Sequence, residues 1–362
     1  MKKIHVDYVT DFPRGKVYST ARLQSEWHKR LPNIVLHPIY YKQTKNPFIN
    51  KLITLFQFPM KILLNHKKSR VIHITLHEFA YLLRYLKSSK SILTVCDLIQ
   101  LERGGDYPLF MRIYNRLNLY NLPKAKKIIT ISKYTKDTIL KYFKYNPKDI
   151  VVAYLAVDHK HFYRRDSSLF RKRLGLAGKK VILYVGSEQP RKNFDILIKA
   201  FAEVHKKLPE TRLVKIGSAQ WSGAREKHLS LIKKLGLKKY VNIVDYVDEK
   251  ELPYYYSMAN VFVFPSEYEG FGLPLLEAMA CGCPAITTKY TSLPEVGGKA
   301  VIYVNPKNIT QLAKEIERVL RDKKLSQTLS QKGLIQAKKF NWKASAKTVG
   351  EAYNNVNNTK TC

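Results

Sequence analysis

Acidic residues are scarce in this chain. Only 28 Asp and Glu stand against 64 Lys and Arg, which gives the 362 residues a formal net charge of +36. The excess excludes an acidic, solvating segment and predicts anionic partners: phosphorylated ligands, acidic lipid or nucleic acid. It is spread along the chain, with 29 basic and 10 acidic residues in 1–160 and 35 and 18 in 161–362. Cysteine is rare as well: Cys96, Cys281, Cys283 and Cys362. Cys281 and Cys283 lack a second pair to complete a zinc site, so they read as small buried residues in a reducing compartment. There is no Asp-x-Asp, and His73 and His77, four apart at a strand end, read as cleft-edge or packing residues rather than ligands. No metal or other cofactor is therefore expected. No run of about eighteen apolar residues exists, so no membrane-spanning helix is expected. Met1-Lys2-Lys3 leads straight into an apolar strand pattern without the marks of a secretory leader, and a cytoplasmic location is expected.

What is present is an ordered α/β pattern. Hydrophobic residues at 45% and aromatics at 12% exclude a disordered chain. Strands are predicted at Ile4–Val9, Ile34–Ile39, Val71–Ile74, Ser91–Val95, Lys127–Ile131 and Ile150–Val152. A second set follows at Val181–Val185, Arg212–Ile216, Val241–Val244, Val261–Phe264, Ala285–Thr287 and Val301–Val304. Helical patterns separate most of them. Strand–helix alternation predicts parallel sheets with right-handed crossovers. Its occurring twice predicts two doubly wound, Rossmann-like domains facing a central cleft. The divide is expected in the polar stretch 156–168. That places a first domain at 1–160, joined by a last helix over about 342–356, and a second domain at 168–341.

The densest chemistry lies in residues 259–286. An apolar strand, Val261–Phe264, stops at Pro265, and a loop with Gly270 and Gly272 follows. Pro274 stands at an expected first helical position, ahead of helix Leu275–Ala280. Amides at such a helix start suit a phosphate or a sugar hydroxyl. Glu269 and Glu277 bracket the loop with seven residues between them, and carboxylates accept hydrogen bonds from vicinal hydroxyls in pairs. Upstream, strand Val181–Val185 ends in Gly186, whose bare backbone lets a ligand come close. Arg191 and Lys192 follow, where a fork and a point charge can bind a diphosphate, and Asn193 is a candidate helix cap.

The Glu-x7-Glu spacing, in the context EGFGLPLLEAMACGCPAI, closely resembles that of the family 4 retaining glycosyltransferases of the GT-B fold. The resemblance is strong over about 180–345 and traceable from 1 to 160. It implies that Arg191 and Lys192 neutralise the leaving nucleoside diphosphate. It also implies that Glu269 meets the donor sugar hydroxyls and Glu277 the ribose hydroxyls, with the amides of Phe271 and Gly272 on sugar hydroxyls and that of Leu273 near phosphate. In the first half, the family's T-x-H-D-L-I segment appears as Thr94, Cys96, Asp97, Leu98 and Ile99. Cysteine thus replaces the histidine that hydrogen-bonds the donor sugar. Either Asp97 takes over that contact, or the donor lacks a demanding 6-hydroxyl, or activity is lost. The candidate catalytic set is Glu269, Arg191, Lys192 and Asp97. Many relatives carry a Gly-Gly pair after the first strand, and here only Gly15 remains, between Arg14 and Lys16, a basic turn that fits an acceptor phosphate or is a plain surface turn.

Residues 46–70 place Phe48, Ile49, Leu52, Ile53, Leu55, Phe56, Ile62 and Leu63 on one broad apolar face, with Lys67, Lys68 and Arg70 beyond it. This is the pattern of an interfacial helix on an anionic membrane, or of a crossover helix packed on a sheet and kinked at Pro59. The expected activity is transfer of a hexose, mannose before others, from a GDP- or UDP-sugar to a glycan or lipid-linked acceptor. No cofactor beyond that substrate is expected, and the enzyme is expected to work peripherally at the inner membrane face. The alternative is an inactive relative that binds an anionic glycolipid or nucleic acid. Nucleic acid is disfavoured because the 24 tyrosines form no stacking motif on a basic sheet face.

Overall fold

The strands carry β-branched and aromatic residues almost throughout, and both faces of the sheets they form are covered. In the computed structural model, which describes residues 3–11, 19–41, 44, 46, 50, 53–86, 90–106 and 108–359, twelve strands make two six-stranded sheets. The first contains β1 (Ile4–Asp11), β2 (Ile34–Tyr41), β3 (Val71–Ile74), β4 (Ser91–Val95), β5 (Lys127–Thr130) and β6 (Ile150–Val152), ordered β2-β1-β3-β4-β5-β6. The second contains β7 (Lys180–Val185), β8 (Thr211–Ile216), β9 (Val241–Val244), β10 (Val261–Phe264), β11 (Ala285–Thr288) and β12 (Ile302–Val304), ordered β12-β11-β10-β7-β8-β9. Every pairing is parallel. The doubly wound α/β expectation therefore holds for both sheets. In each, the strand order reverses once, between β1 and β3 and between β7 and β10. In doubly wound sheets, ligands bind at the carboxyl ends of the strands beside such a reversal.

Helices flanking the sheets include α1 (Ser19–His28), α2 (Phe58–Asn65) and α3 (Leu109–Leu119) beside the first. Beside the second lie α4 (Phe194–Lys207), α5 (Ala224–Lys234), α6 (Leu252–Met258) and α7 (Leu273–Ala280), and α8 (Trp342–Asn357) is the last helix. The chain divides into two units, residues 1–155 with 342–362 and residues 156–341. The polar stretch 156–168 thus falls with the second unit.

Five predicted strands match the observed bounds, and the others shift by one or two residues. β1 and β2 extend furthest, by two residues each, and β2 runs through Pro38 to Tyr41. Proline is tolerated there because β2 is an edge strand, so the missing N–H costs no ladder bond on its outer side. Pro59 sits in the first turn of α2, which follows directly on a wide π-type turn at Ile53–Gln57. One local expectation is corrected. The helix expected from Leu275 begins at Leu273, with Gly272 at its cap.

In the first unit, Val9, Ile72, Ile74, Leu93, Val95 and Ile128 form the buried centre. Helix α8 is tied into this unit by polar contacts. Trp27 Nε1 donates to Ser345 Oγ at 2.8 Å. The Tyr353 hydroxyl lies 2.7 Å from His73 Nδ1 and 3.3 Å from His28 Nε2, while His73 Nε2 meets Thr94 Oγ1 at 2.7 Å. Burial pushes the pKa of His73 down to about 3 and that of His28 to about 4, so both are neutral at pH 7. His73 is a packing residue.

Candidate active site

The second unit assembles its site at the β7/β10 switch point. Strand β7 delivers Gly186, whose N–H donates to Ile216 O at 2.9 Å. Gly217, at the end of β8, has φ +122°, and a Cβ there would lie 2.5 Å from the Gly186 carbonyl oxygen. Glycine is needed at 217 both for its backbone and for that approach.

The turn Pro190–Lys192 then places the two cations, and Asn193 takes a left-handed conformation, φ 51°. Asn193 stands at the α4 cap position without capping. Its Nδ2 instead donates to Pro265 O at 3.0 Å and Glu267 Oε1 at 3.3 Å. Glu267 N donates to Arg191 O at 2.8 Å. The loops after β7 and β10 are thereby stitched together.

Their side chains meet at Glu269. Lys192 Nζ donates to Glu269 Oε1 at 2.6 Å, and Arg191 Nη1 lies 3.5 Å from the same oxygen. Arg191 also donates to Tyr268 O. Burial alone would raise the Glu269 pKa, but Lys192 and Arg191 hold it below the usual carboxylate value. The backbone of Glu269 is fixed from the far side, its N–H donating to Thr291 Oγ1 at 3.0 Å and its carbonyl accepting from Ser292 Oγ at 2.8 Å. Lys192 and Glu269 are each 8% exposed, so this is a buried ion cluster with one surplus positive charge.

The rest of the loop frames it. Gly270 is half-buried, and Phe271 packs edge-on against Phe340 with ring centres 5.6 Å apart. Gly272 has φ +102°, and a Cβ would fall 2.7 Å from Leu293 Cδ2. Leu273 opens α7, whose first amides have no acceptor within the helix. Glu277, on the same helix, is buried, and its Oε2 accepts from the Tyr256 hydroxyl at 2.9 Å.

A second buried ion cluster supports the first and was not foreseen. Glu188 accepts from Lys215 Nζ at 2.6 Å, Arg225 Nε at 2.8 Å and His228 Nδ1 at 2.9 Å. Burial opposes its charge, but those three bonds bring its pKa down to about 2. They fasten the 186–192 turn to β8 and α5. One signal was present in the sequence: Lys215 interrupts the apolar run Leu213-Val214-Lys215-Ile216, and a lysine inside a buried strand requires a buried acceptor.

Cys96 and Asp97 belong to the first unit. Cys96 follows β4 directly, at the carboxyl edge of its sheet, and its carbonyl accepts from Thr135 Oγ1 at 3.1 Å. Burial, then the charges of Asp97 and Glu78, push its thiol pKa well up, so the thiolate is disfavoured. Asp97 Oδ1 accepts from Ile99 N at 3.1 Å, which commits one carboxylate oxygen to the local turn. Arg14 and Gly15 lie outside the described residues, as do Phe48, Ile49 and Leu52. Of the remaining 46–70 face, Ile62 is buried, whereas Phe56 and Leu63 are exposed, joined by Met60 and Leu64. Cys281 and Cys283 are buried and free. Among the described residues, no group of three or more His, Cys, Asp or Glu could hold a metal ion.

Residues 166–336 match the family profile described as glycosyl transferases group 1. O-antigen chain mannosyltransferase B of Escherichia coli is 33% identical over 64% of this chain, which spans 61% of that protein. The serotype-specific mannosyltransferase WbdA of the same organism is 33% identical, and the chain spans only 21% of its length. Spore coat protein SA of Bacillus subtilis is 30% identical over 70% of this chain and 74% of its own length. Among solved structures, Anabaena HepE in complex with UDP and glucose superposes with a TM-score of 0.78 at 17% identity, covering 95% of this chain and 98% of that one. Sucrose-phosphate synthase from Thermosynechococcus elongatus gives 0.79 at 22% identity, covering 98% and 99%. At those identities the likeness is one of fold.

Proposed function

The chain belongs to the group 1 glycosyltransferases, and from this premise we propose that it is a retaining, metal-independent hexosyltransferase using a nucleoside-diphospho sugar. The observation that carries the reading is the Arg191–Lys192–Glu269 cluster at the β7/β10 switch point. A departing diphosphate gains negative charge as the sugar becomes oxocarbenium-like. Arg191, Lys192 and the first amides of α7 are the groups that stabilise that charge. Glu269, freed from Lys192 as the lysine turns to phosphate, accepts from the sugar hydroxyls, and Glu277 accepts from the ribose. The leaving oxygen takes the acceptor proton on the same face, so no base from the chain is needed. Mannose is the preferred sugar, supported by the names of the relatives, and the acceptor is a glycan or glycolipid.

The enzyme works peripherally at an anionic membrane face. No helix among the described residues is long and apolar enough to cross a membrane. Outward-facing Phe56, Met60, Leu63 and Leu64 of the α2 region supply an apolar surface, and Lys61, Lys67 and Lys68 are near them in sequence. One observation favours a different class. Cys96, in place of a hydrogen-bonding histidine, fits an inactive relative that binds an anionic glycolipid.

Release of nucleoside diphosphate from GDP-mannose and UDP-glucose, with and without mannoside acceptors, separates the two. Acceptor-stimulated release supports the transferase. Tight nucleotide binding without release in either condition supports the binding protein, and no nucleotide binding at all removes the site assignment.

A further inference from the structure

We propose that Thr291 is a positioning residue for the transfer reaction. From a strained backbone it holds the peptide of Glu269, and so keeps that carboxylate aimed at the donor sugar once Lys192 has turned to the diphosphate. The inference deepens the transferase reading and rests on it, because it concerns the same carboxylate.

The strain lies where such sheets bind ligands. Among the described residues, three that are not glycine have positive φ: Asn193 at 51°, Gln220 at 53° and Thr291 at 52°. They follow β7, β8 and β11, so all three stand in loops leaving the carboxyl edge of the second sheet. Asparagine tolerates the left-handed region. For threonine it is an outlier, because the branched Cβ crowds the carbonyl that follows. A backbone kept there is over-determined by its surroundings, and such residues cluster at functional sites.

Thr291 belongs to a ladder of hydroxyls. The end of β11 and the loop after it, 287–292, grip the chain 264–269 as it leaves β10. Thr287 Oγ1 donates to Phe264 O at 2.8 Å, Thr288 Oγ1 to Ser266 O at 2.6 Å and Ser292 Oγ to Glu269 O at 2.8 Å. Thr287, Thr288 and Ser292 are fully buried. The Thr291 rung runs the other way, its Oγ1 accepting from Glu269 N at 3.0 Å. Thr291 and Ser292 thus hold one residue by both its N–H and its C=O.

That hold matters when Lys192 moves. In the structure the Glu269 carboxylate accepts from Lys192 at 2.6 Å. A lysine that turns to the leaving diphosphate gives up this bond, and Arg191 stands further off, at 3.5 Å. The aim of the carboxylate then depends on the main chain beneath it. A misplacement of about 1 Å at a reacting centre is costly, and supporting hydrogen bonds are what prevent it. Glycine at 291 would take the same backbone without strain but carries no hydroxyl. Threonine bears the strain and supplies the acceptor.

Thr291→Gly and Thr291→Ser in the full chain test this, with GDP-mannose and UDP-glucose as donors. Thr291→Gly should melt close to the wild type, since relief of the backbone offsets the lost bond. Its kcat/KM should fall roughly 10-fold. Its affinity for free GDP and UDP should stay within about 2-fold, because Arg191 and Lys192 are untouched. Amide hydrogen exchange across 266–272 should quicken. Thr291→Ser keeps the hydroxyl and should match the wild type in every measure. Wild-type kcat/KM in Thr291→Gly, an equal loss in Thr291→Ser, a matching loss of GDP and UDP affinity, or collapse of the fold in Thr291→Gly overturns the proposal. If the wild type neither turns over a donor nor binds GDP or UDP, the transferase reading fails and exchange alone decides. Quickening in Thr291→Gly but not in Thr291→Ser then upholds the hold on Glu269, and no quickening overturns it.

Discussion

Lys192 and Glu269 illustrate how a binding residue can be held ready by a second binding residue. Each is buried, and each neutralises the other at 2.6 Å. Lys192→Ala leaves Arg191, at 3.5 Å, as the cation nearest Glu269 in the cluster. Losing one charge-assisted contact should cost roughly 2–4 kcal/mol at the transition state, a fall in turnover of about 30- to 1,000-fold. Steady-state kinetics with circular dichroism as a fold control check it, and near-normal turnover would dismiss the assignment. Glu277→Ala should act mainly on donor KM, since its partner Tyr256 lies on α6 behind the site.

Titration at the residue scale concerns the first unit. His73 and His28 have pKa values of about 3 and 4 against an ordinary 6.5. The unfolded chain therefore binds more protons between those values. The stability these neutral histidines allow is complete above pH 6.5 and is lost as pH falls toward 3–4. At pH 5 the fully buried His73 should cost about 2 kcal/mol. Urea unfolding at pH 7.5 and pH 5 should show the loss, and His73→Asn should reduce the difference.

At the scale of elements, the strand–loop–helix around Glu269 could be read from the sequence because its signals are local: proline at 265, glycines at 270 and 272, proline at 274. The sheets were readable because buried parallel strands are continuous apolar runs. The Glu188 cluster was not, because its members come from β8, α5 and a loop, and spacing along the chain does not encode that meeting. Periodicity also reports that a helix has an apolar face without reporting what covers it. Phe58 and Ile62 of α2 face the core, whereas Phe56, Met60 and Leu64 face outward. Helix α3 was not singled out at all, yet Leu109, Phe110, Ile113 and Leu117 are exposed on it beside Arg112 and Arg116. These apolar side chains should insert at an acidic surface, where nearby cations add roughly 1 kcal/mol each. Flotation with anionic vesicles should recover the protein at low salt and less at high salt. Phe56→Ser/Leu64→Ser and Phe110→Ser/Leu117→Ser should each reduce recovery. Equal recovery with neutral vesicles would contradict the electrostatic part.

For the whole molecule, the +36 charge is shared by both halves of the sequence, so it does not single out either half. The ion clusters of the second unit supply their own counter-charges, and the proposed reaction needs no divalent cation to offset the diphosphate. Turnover should persist in excess EDTA. A loss that magnesium or manganese restores would reverse that reading.

The division of the chain at 155/156 and 341/342 has a consequence for biosynthesis. The second unit is one continuous stretch, whereas the first needs Ser345 and Tyr353 to satisfy Trp27 and His73, residues made some three hundred positions earlier. On the ribosome, the half that starts first finishes last. The segment 156–341 should fold as an autonomous fragment. A chain stopped at 341 should leave its amino-terminal half protease-sensitive, and restoring 342–357 as a separate peptide should protect it. The first unit thereby becomes a checkpoint for completed synthesis, since a truncated product cannot bury its own core.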